Sequence, residues 1–200
     1  MNIVLKATTY RILAILVFYF FAPCITWAQI PAGIPLLSGK IDALKYYSEG
    51  KPSATVKQVA VKGQPFAKAL QISSPGGTGS DGLYGNINKN LRKGDVLWIS
   101  FSTRSLQSKR ETGESFVELR VDQLVNGKYV WPPHLERGIS FGEEWTKTSI
   151  PFILTKDVQP EDVRIVVRFD SYPQKFEISP ITLINCGQNV SLNDLPKTVV

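Results

Sequence analysis

Apolar and polar residues alternate with a period of two along much of this chain. In Val96–Arg104, Leu97, Ile99 and Phe101 share one side, and Trp98, Ser100, Ser102 and Arg104 share the other. In Phe116–Val125, Val117, Leu119, Val121 and Val125 stand opposite Phe116, Glu118, Arg120 and Asp122. In Val163–Asp170, Val163, Ile165, Val167 and Phe169 stand opposite Arg164, Arg168 and Asp170. Such alternation puts one side of a strand into a core and the other into water. Strands are expected at Ala54–Val61, Phe66–Ser73, Leu83–Ile87, Val96–Ser105, Ser115–Val125, Thr146–Leu154, Val163–Phe169 and Lys175–Asn185.

The punctuation agrees. Lys93-Gly94-Asp95 precedes a strand, Asn126-Gly127 signals a hairpin, and Trp131-Pro132-Pro133 cannot continue a ladder. Helical periodicity is nearly absent, and Ser38–Tyr47 has room for one helical turn. Many short strands separated by Gly, Pro, Asn and Asp predict an all-β sandwich. Phe101, Phe152, Phe169 and Phe176 are expected to point inward, with Trp145 a core residue by default.

The start of the chain follows a different rule. Lys6 and Arg11 precede an unbroken apolar run of 11 residues, Ile12 to Ala22, and Thr26-Trp27-Ala28 offers small side chains for cleavage. This predicts a secretory leader over residues 1–28, cut after Ala28, and a secreted or periplasmic protein with no membrane partner once it is removed. The run falls short of the ~20 apolar residues a bilayer span needs. The remaining 172 residues carry 21 basic and 17 acidic side chains, a net charge of +4 without a Lys/Arg block. Nucleic-acid binders concentrate positive charge on one face, so nucleic acid is not an expected partner. Cys186 alone survives cleavage, which excludes an internal disulfide, and nothing beside it would lower its pKa.

Catalytic chemistry finds no support. The single histidine, His134, lies in a Pro-Pro-His-Leu stretch expected to be a solvated loop. Gly77-Thr78-Gly79-Ser80-Asp81-Gly82 spells a dinucleotide fingerprint, but a strand pattern follows it where that motif opens a helix. Glu143-Glu144 would point to opposite sides of an extended chain. Glu114 and Glu118 would stand ~13 Å apart along a strand, beyond the ~5–9.5 Å that glycosidase carboxylates use. No cofactor is expected, and no cluster of oxygen ligands indicates structural calcium.

Two aromatic sets separate. Tyr84, Trp98, Trp131 and Tyr172 are expected in loops or on wet faces, beside Arg104, Glu118, Arg120 and Arg168. Aromatic platforms mixed with a few placed polar groups suit a sugar, and an ordinary solvated face with cross-strand charge pairs suits the pattern equally well.

Several motifs weigh on that choice. Phe66–Ile72, Lys93–Arg104, Glu144-Trp145-Thr146-Lys147 with Ile150-Pro151-Phe152, and Gln174–Ile178 with Ile181–Asn185 occur in order over residues 55 to 187. Together they resemble the carbohydrate-binding jelly-roll modules attached to xylanases and cellulases, and most closely those N-terminal to family 10 glycoside hydrolases. The resemblance implies a galactose-binding-like jelly-roll at residues 29–187 and a polar linker or tail at 188–200. It implies a non-catalytic module for plant cell-wall polysaccharide such as xylan, with a catalytic domain as a further partner. The alternative is a sandwich that packs on a catalytic domain or surface partner without binding sugar. Tyr84, Arg104, Tyr172 and Gln174 match positions the resemblance marks for ligand contact. With Trp98, Glu118, Arg120 and Trp131 they form the expected carbohydrate site. The family's usual Asp before the final strand is absent; Pro180-Ile181 stands there.

Overall fold

The computed structural model describes residues 30–49, 54–77, 80–169 and 171–198. The expected leader, Thr78 and Gly79 of the fingerprint, and Asp170 lie outside the described residues.

Alternation becomes two antiparallel sheets with one core between them. The strands are β1 (Ile34–Ser38), β2 (Lys45–Glu49), β3 (Thr55–Ala60), β4 (Lys68–Pro75), β5 (Ser80–Ile87), β6 (Val96–Ser108), β7 (Ser115–Val125), β8 (Lys128–Phe141), β9 (Thr146–Ile153), β10 (Val163–Arg168), β11 (Pro173–Ile178) and β12 (Thr182–Gly187). A five-stranded sheet runs β2-β5-β10-β7-β8. The seven-stranded sheet is built around β6, whose Val96–Thr103 pairs with β9 on one edge. On the other edge it pairs first with β12 and then with β11. The expected strand Lys175–Asn185 is therefore one line of pairing along β6, broken at Ser179-Pro180, where proline has no N–H to donate.

The inward residues expected from the pattern fill the core. Leu97, Ile99 and Phe101 of β6 meet Val117, Leu119 and Val121 of β7 and Val163, Ile165 and Val167 of β10 in one buried cluster. Phe101, Phe152, Phe169 and Phe176 join it, and Phe141 and Phe169 each meet Phe176 edge-on. At about 25 cal/mol per Å2 of apolar surface, this cluster is the main driving force for folding.

Two expectations need correction, and a third, which holds for the ladder, is refined for the strand. Trp145 lies outside the core, half-buried, with its ring edge-on to Phe66. His134 lies within β8 and is half-buried; burial, with Lys156 nearby, pushes its pKa down. The run Trp131-Pro132-Pro133 does not end a strand. β8 is an edge strand that carries residues 131–134 as an unpaired bulge, its register passing from Val121↔Leu135 to Gln123↔Val130. The ladder breaks there, as proline requires, and resumes beyond it. Asn126 and Gly127 both have positive φ, as the tight β7–β8 turn demands. The one helical turn expected in Ser38–Tyr47 is a 3-10 turn at Ile41–Ala43, and β2 follows it.

The polar segment after Gly187 lies back on the outer side of the seven-stranded sheet. Leu195 is buried with Val96, Trp98 and Ile184, and Cys186, Val190 and Leu192 pack around them. The Trp98 indole N–H donates to the Pro196 carbonyl at 2.8 Å. Thr198 N donates to Ser149 O at 2.8 Å, and Ser149 N donates to the Thr198 hydroxyl at 2.9 Å.

Trp98 thus forms a second, small core. Trp98→Ala is expected to destabilise the protein by about 3–5 kcal/mol, the range for deleting a large buried aromatic. Urea unfolding followed by far-UV circular dichroism measures it; a loss under about 1 kcal/mol would show that the segment merely rests on the sheet.

Candidate functional site

The eight expected site residues divide between the two outer faces of the sandwich. Trp98 and Arg104 alternate outward from β6 in the seven-stranded sheet; Glu118 and Arg120 alternate outward from β7 in the five-stranded sheet. The single wet face expected from the pattern does not exist, because β6 and β7 belong to opposite sheets.

Three residues are occupied elsewhere. Trp98 is 1% exposed beneath the C-terminal segment, so it offers no platform. Arg104 makes two contacts of 2.8 Å to Glu177 Oε2, through Nε and through a terminal nitrogen, and its guanidinium lies 5.0 Å from the Trp145 ring centroid. Glu177 Oε1 in turn accepts from Gln71. Gln174 is buried: its amide oxygen accepts from Phe116 N, and its nitrogen donates to the carbonyls of Phe116 and Phe169. It fastens β11 to β7 and has no polar group left for a ligand.

The other five gather on or beside the outer face of the five-stranded sheet. One row in register across its strands reads Lys45, Tyr84, Val166, Arg120, Glu136; the next reads Tyr47, Gly82, Arg168, Glu118, Gly138. Aromatic side chains stand at the margins. Tyr84 meets Tyr47 edge-on at 6.0 Å between centroids. Trp131, 67% exposed, lies 6.4 Å from Tyr129 at the β8 bulge. Tyr172 and Phe116 each carry the Arg110 guanidinium at 5.4 Å.

Two glycines make room for these rings. A Cβ on Gly82 would come within 2.6 Å of the Tyr47 ring, and one on Gly138 within 2.8 Å of Phe116. Tyr47, Phe116, Tyr129 and Arg110 were not among the expected site residues. A glycine opposite an aromatic on a neighbouring strand was the available signal, but it needs the register to be read.

Between the margins lies a charged strip. Arg120 Nε donates to Asp122 Oδ1 at 3.0 Å, and Arg120 also donates to the Tyr129 hydroxyl and stacks over its ring. Glu118 Oε1 stands 3.6 Å from both Arg120 and Arg168. Arg164 Nε stands 3.7 Å from Asp122 Oδ2. Val166, on the outward side in register between Tyr84 and Arg120, is 1% exposed although it is not part of the inter-sheet cluster. The long side chains around it therefore cover it. Beyond Tyr84, an open cleft of about 360 Å3 is lined by Asp42, Lys45, Tyr84, Asn86 and Asn88 over Leu36, Leu37 and Ala43.

Burial acts on this strip in opposite senses. It pushes the Asp122 carboxyl above the usual aspartate range, and Arg120, Arg164 and Arg168 only partly offset it. Burial would lower Arg120, but Asp122, Tyr129 and Glu118 outweigh it and hold the guanidinium up. An ion pair ordinarily lowers its acid; desolvation reverses that at Asp122, which is 3% exposed. Among the described residues no group of three or more His, Cys, Asp or Glu side chains gathers where it could hold a metal.

Two antiparallel sheets packed face to face around one core, with the strand order above, define a jelly-roll β-sandwich. No protein-family model matches the chain, and no curated protein matches it in sequence. Solved structures do. A family 11 carbohydrate-binding module from Clostridium thermocellum, in complex with a β-1,3-1,4-mixed-linked tetrasaccharide, matches with a TM-score of 0.53 at 19% identity over 80% of this chain and 100% of that one. The CBM22-1 xylan-binding domain of a Paenibacillus barcinonensis protein matches with a TM-score of 0.53 at 12% identity, over 80% and 99%. The enzymatically active domain of a bacteriophage CBA120 tailspike matches with a TM-score of 0.56 at 11% identity over 79% of this chain. The chain spans only 21% of that tailspike, and 25% of an arabinose-bound α-L-arabinofuranosidase. These likenesses establish the fold, and the two of them covered end to end are carbohydrate-binding modules.

A raised carboxyl has a defined pH signature. Asp122 favours its proton more in the folded than in the unfolded chain, so its contribution to stability is present below the unfolded pKa and lost as pH rises through the folded one. Stability of the wild type relative to Asp122→Asn should therefore fall over the interval in which pH rises from below the ordinary aspartate pKa of ~3.9 through the raised folded one. Parallel urea titrations of both proteins measure it, and a rise over that interval would contradict the burial effect.

Proposed function

We propose that the chain is a non-catalytic module that binds carbohydrate across the outer face of its five-stranded sheet. The observation that carries this reading is the placement of aromatic rings at the margins of one sheet face around a strip of charged hydrogen-bonding groups. Pyranose rings present flat C–H surfaces that pack on aromatic faces, while their hydroxyls take up carboxylate and guanidinium partners. Tyr84, Trp131 and Tyr172 serve as platforms, and Glu118, Arg120 and Arg168 as polar contacts. Arg104 and Gln174, matched by motif to ligand-contacting positions, support the fold instead.

The neighbours of known binding support a ligand class. One is in complex with a β-1,3-1,4-mixed-linked tetrasaccharide and another is a xylan-binding domain, which supports a β-linked plant cell-wall polysaccharide such as xylan. The leader expected over residues 1–28 would deliver the module outside the cell to meet such a polymer. A catalytic domain is the partner such a module would serve.

Affinity electrophoresis in gels containing xylan, mixed-linked glucan or mannan tests the reading. Retardation in at least one gel is expected, and Tyr84→Ala and Trp131→Ala should each weaken it about tenfold, the equivalent of losing one aromatic contact of ~1.4 kcal/mol. Unretarded migration in all three, with folding intact, would leave the sandwich as a structural or interaction module.

A further inference from the structure

We infer that the sugar held by this face is acidic, and that its carboxylate is taken by Arg164 beside the Tyr84 platform. The inference rests on the carbohydrate reading above and narrows its substrate class.

The first observation is charge. Outward positions of the five-stranded sheet hold Lys45, Arg120, Arg164 and Arg168, with Arg110 at the margin, against Glu118, Asp122, Glu136 and the register position of Glu49. Within the ion-paired strip three guanidiniums, those of Arg120, Arg164 and Arg168, share two carboxylates, Glu118 and Asp122, although charges alternate in sign along the chain. Pairing strands from distant parts of the sequence produces that imbalance.

The second observation is geometry. Of the four ion pairs in the strip, only Arg120 with Asp122 closes to hydrogen-bond length; the other three stand at 3.6–3.7 Å. Arg164 has the least committed guanidinium. Its ion pair to Asp122 is 3.7 Å long, and its Nε is buried with no hydrogen-bond acceptor among the described residues. The side chain is nevertheless 30% exposed, so a ligand can reach it. Because Nε is itself buried, a ligand carboxylate would be taken through the two terminal nitrogens, whose N–H groups can make two parallel bonds to it.

The third observation is position. Arg164 pairs in register with Asn86, and Tyr84 with Val166, so Arg164 and Tyr84 are diagonal neighbours across β5 and β10. Such neighbours lie ~7–8 Å apart, within reach of long side chains. Lys45 and Asn86 flank Tyr84 at the cleft, and Asp42 is the acid that faces them there. A uronate stacked on Tyr84 would turn its carboxylate toward Arg164 on β10, with Lys45 on the opposite flank and Asn86 and Asn88 left for hydroxyls.

Calorimetric titration of the chain with glucuronoxylan oligosaccharides and with their carboxyl-reduced counterparts tests this, because the two share a backbone. The acidic form is expected to bind at least about tenfold more tightly, the scale of one charge-assisted contact. That advantage should shrink as salt rises from about 50 mM to about 500 mM. Arg164→Gln should bring the ratio of acidic to neutral affinity close to unity and Arg164→Lys should keep part of it, with melting temperatures confirming the fold. The salt dependence of the wild type stands even if a variant does not fold. Equal affinity for both forms overturns the acidic assignment and leaves carbohydrate binding intact, whereas binding of neither removes both. Tighter binding of a sulfated xylan than of glucuronoxylan overturns the choice of a carboxylate.

Discussion

The long strand β6 is the constraint on which the rest of the molecule depends. Its 13 residues pair with β9 along one edge and with β12 and β11 in turn along the other. Its inward side chains Leu97, Ile99 and Phe101 enter the inter-sheet core, while Trp98 on the opposite side anchors the C-terminal segment. Both sides of β6 are thereby used for stability near Trp98. Further along, Arg104 is locked to Glu177 and stacked on Trp145. A strand committed on both sides leaves little of its own outer surface for a ligand, which supports placing the proposed site on the other sheet.

There the same alternation has a different consequence. Inward residues of β7 and β10 complete the core, and their outward residues are arginines and carboxylates packed closely enough to bury Val166 and Asp122. Such a strip is a poor source of stability, since its ion pairs are mostly loose and one acid is held above its usual pKa. Paired charges in half-buried positions recover little of their desolvation cost. Groups kept on a face at such a cost are well suited to a polar ligand whose hydroxyls and charges supply the missing partners.

How much of this was legible beforehand depended on range. Clear period-two alternation in β6, β7 and β10, and β-rich runs bounded by turn residues elsewhere, identified strands β3 to β7 and β9 to β12 (the last two as one) and the inward phenylalanines, because these are local properties of the chain. It missed β1 and β2, which are five-residue strands at sheet edges, and β8, where a double proline hid a strand that bulges and resumes. Alternation also cannot tell which sheet a strand joins. Trp98 and Arg120 looked alike as outward residues, yet they face opposite sides of the molecule. The segment after Gly187 read as a linker by composition, and only tertiary contact shows that Leu195 and Pro196 close over an indole.

The same limit explains why the charge of the chain said so little about its ligand. A net +4 spread evenly along a sequence looks like a solubility device, and alternating signs suggest that each cation has an acid beside it. Folding rearranges those neighbours. Arg164 is two residues from the nearest acid in sequence, but its register partners are Asp122 on one side and uncharged Asn86 on the other. Asp122 is already engaged by Arg120 at 3.0 Å, so one carboxylate serves two guanidiniums. The imbalance exists only in the assembled sheet, on the side away from the Trp98 anchor, next to an aromatic ring and an open cleft. Electrostatic character that arises only from strand order is a property of the face, and the face is what a polysaccharide would meet.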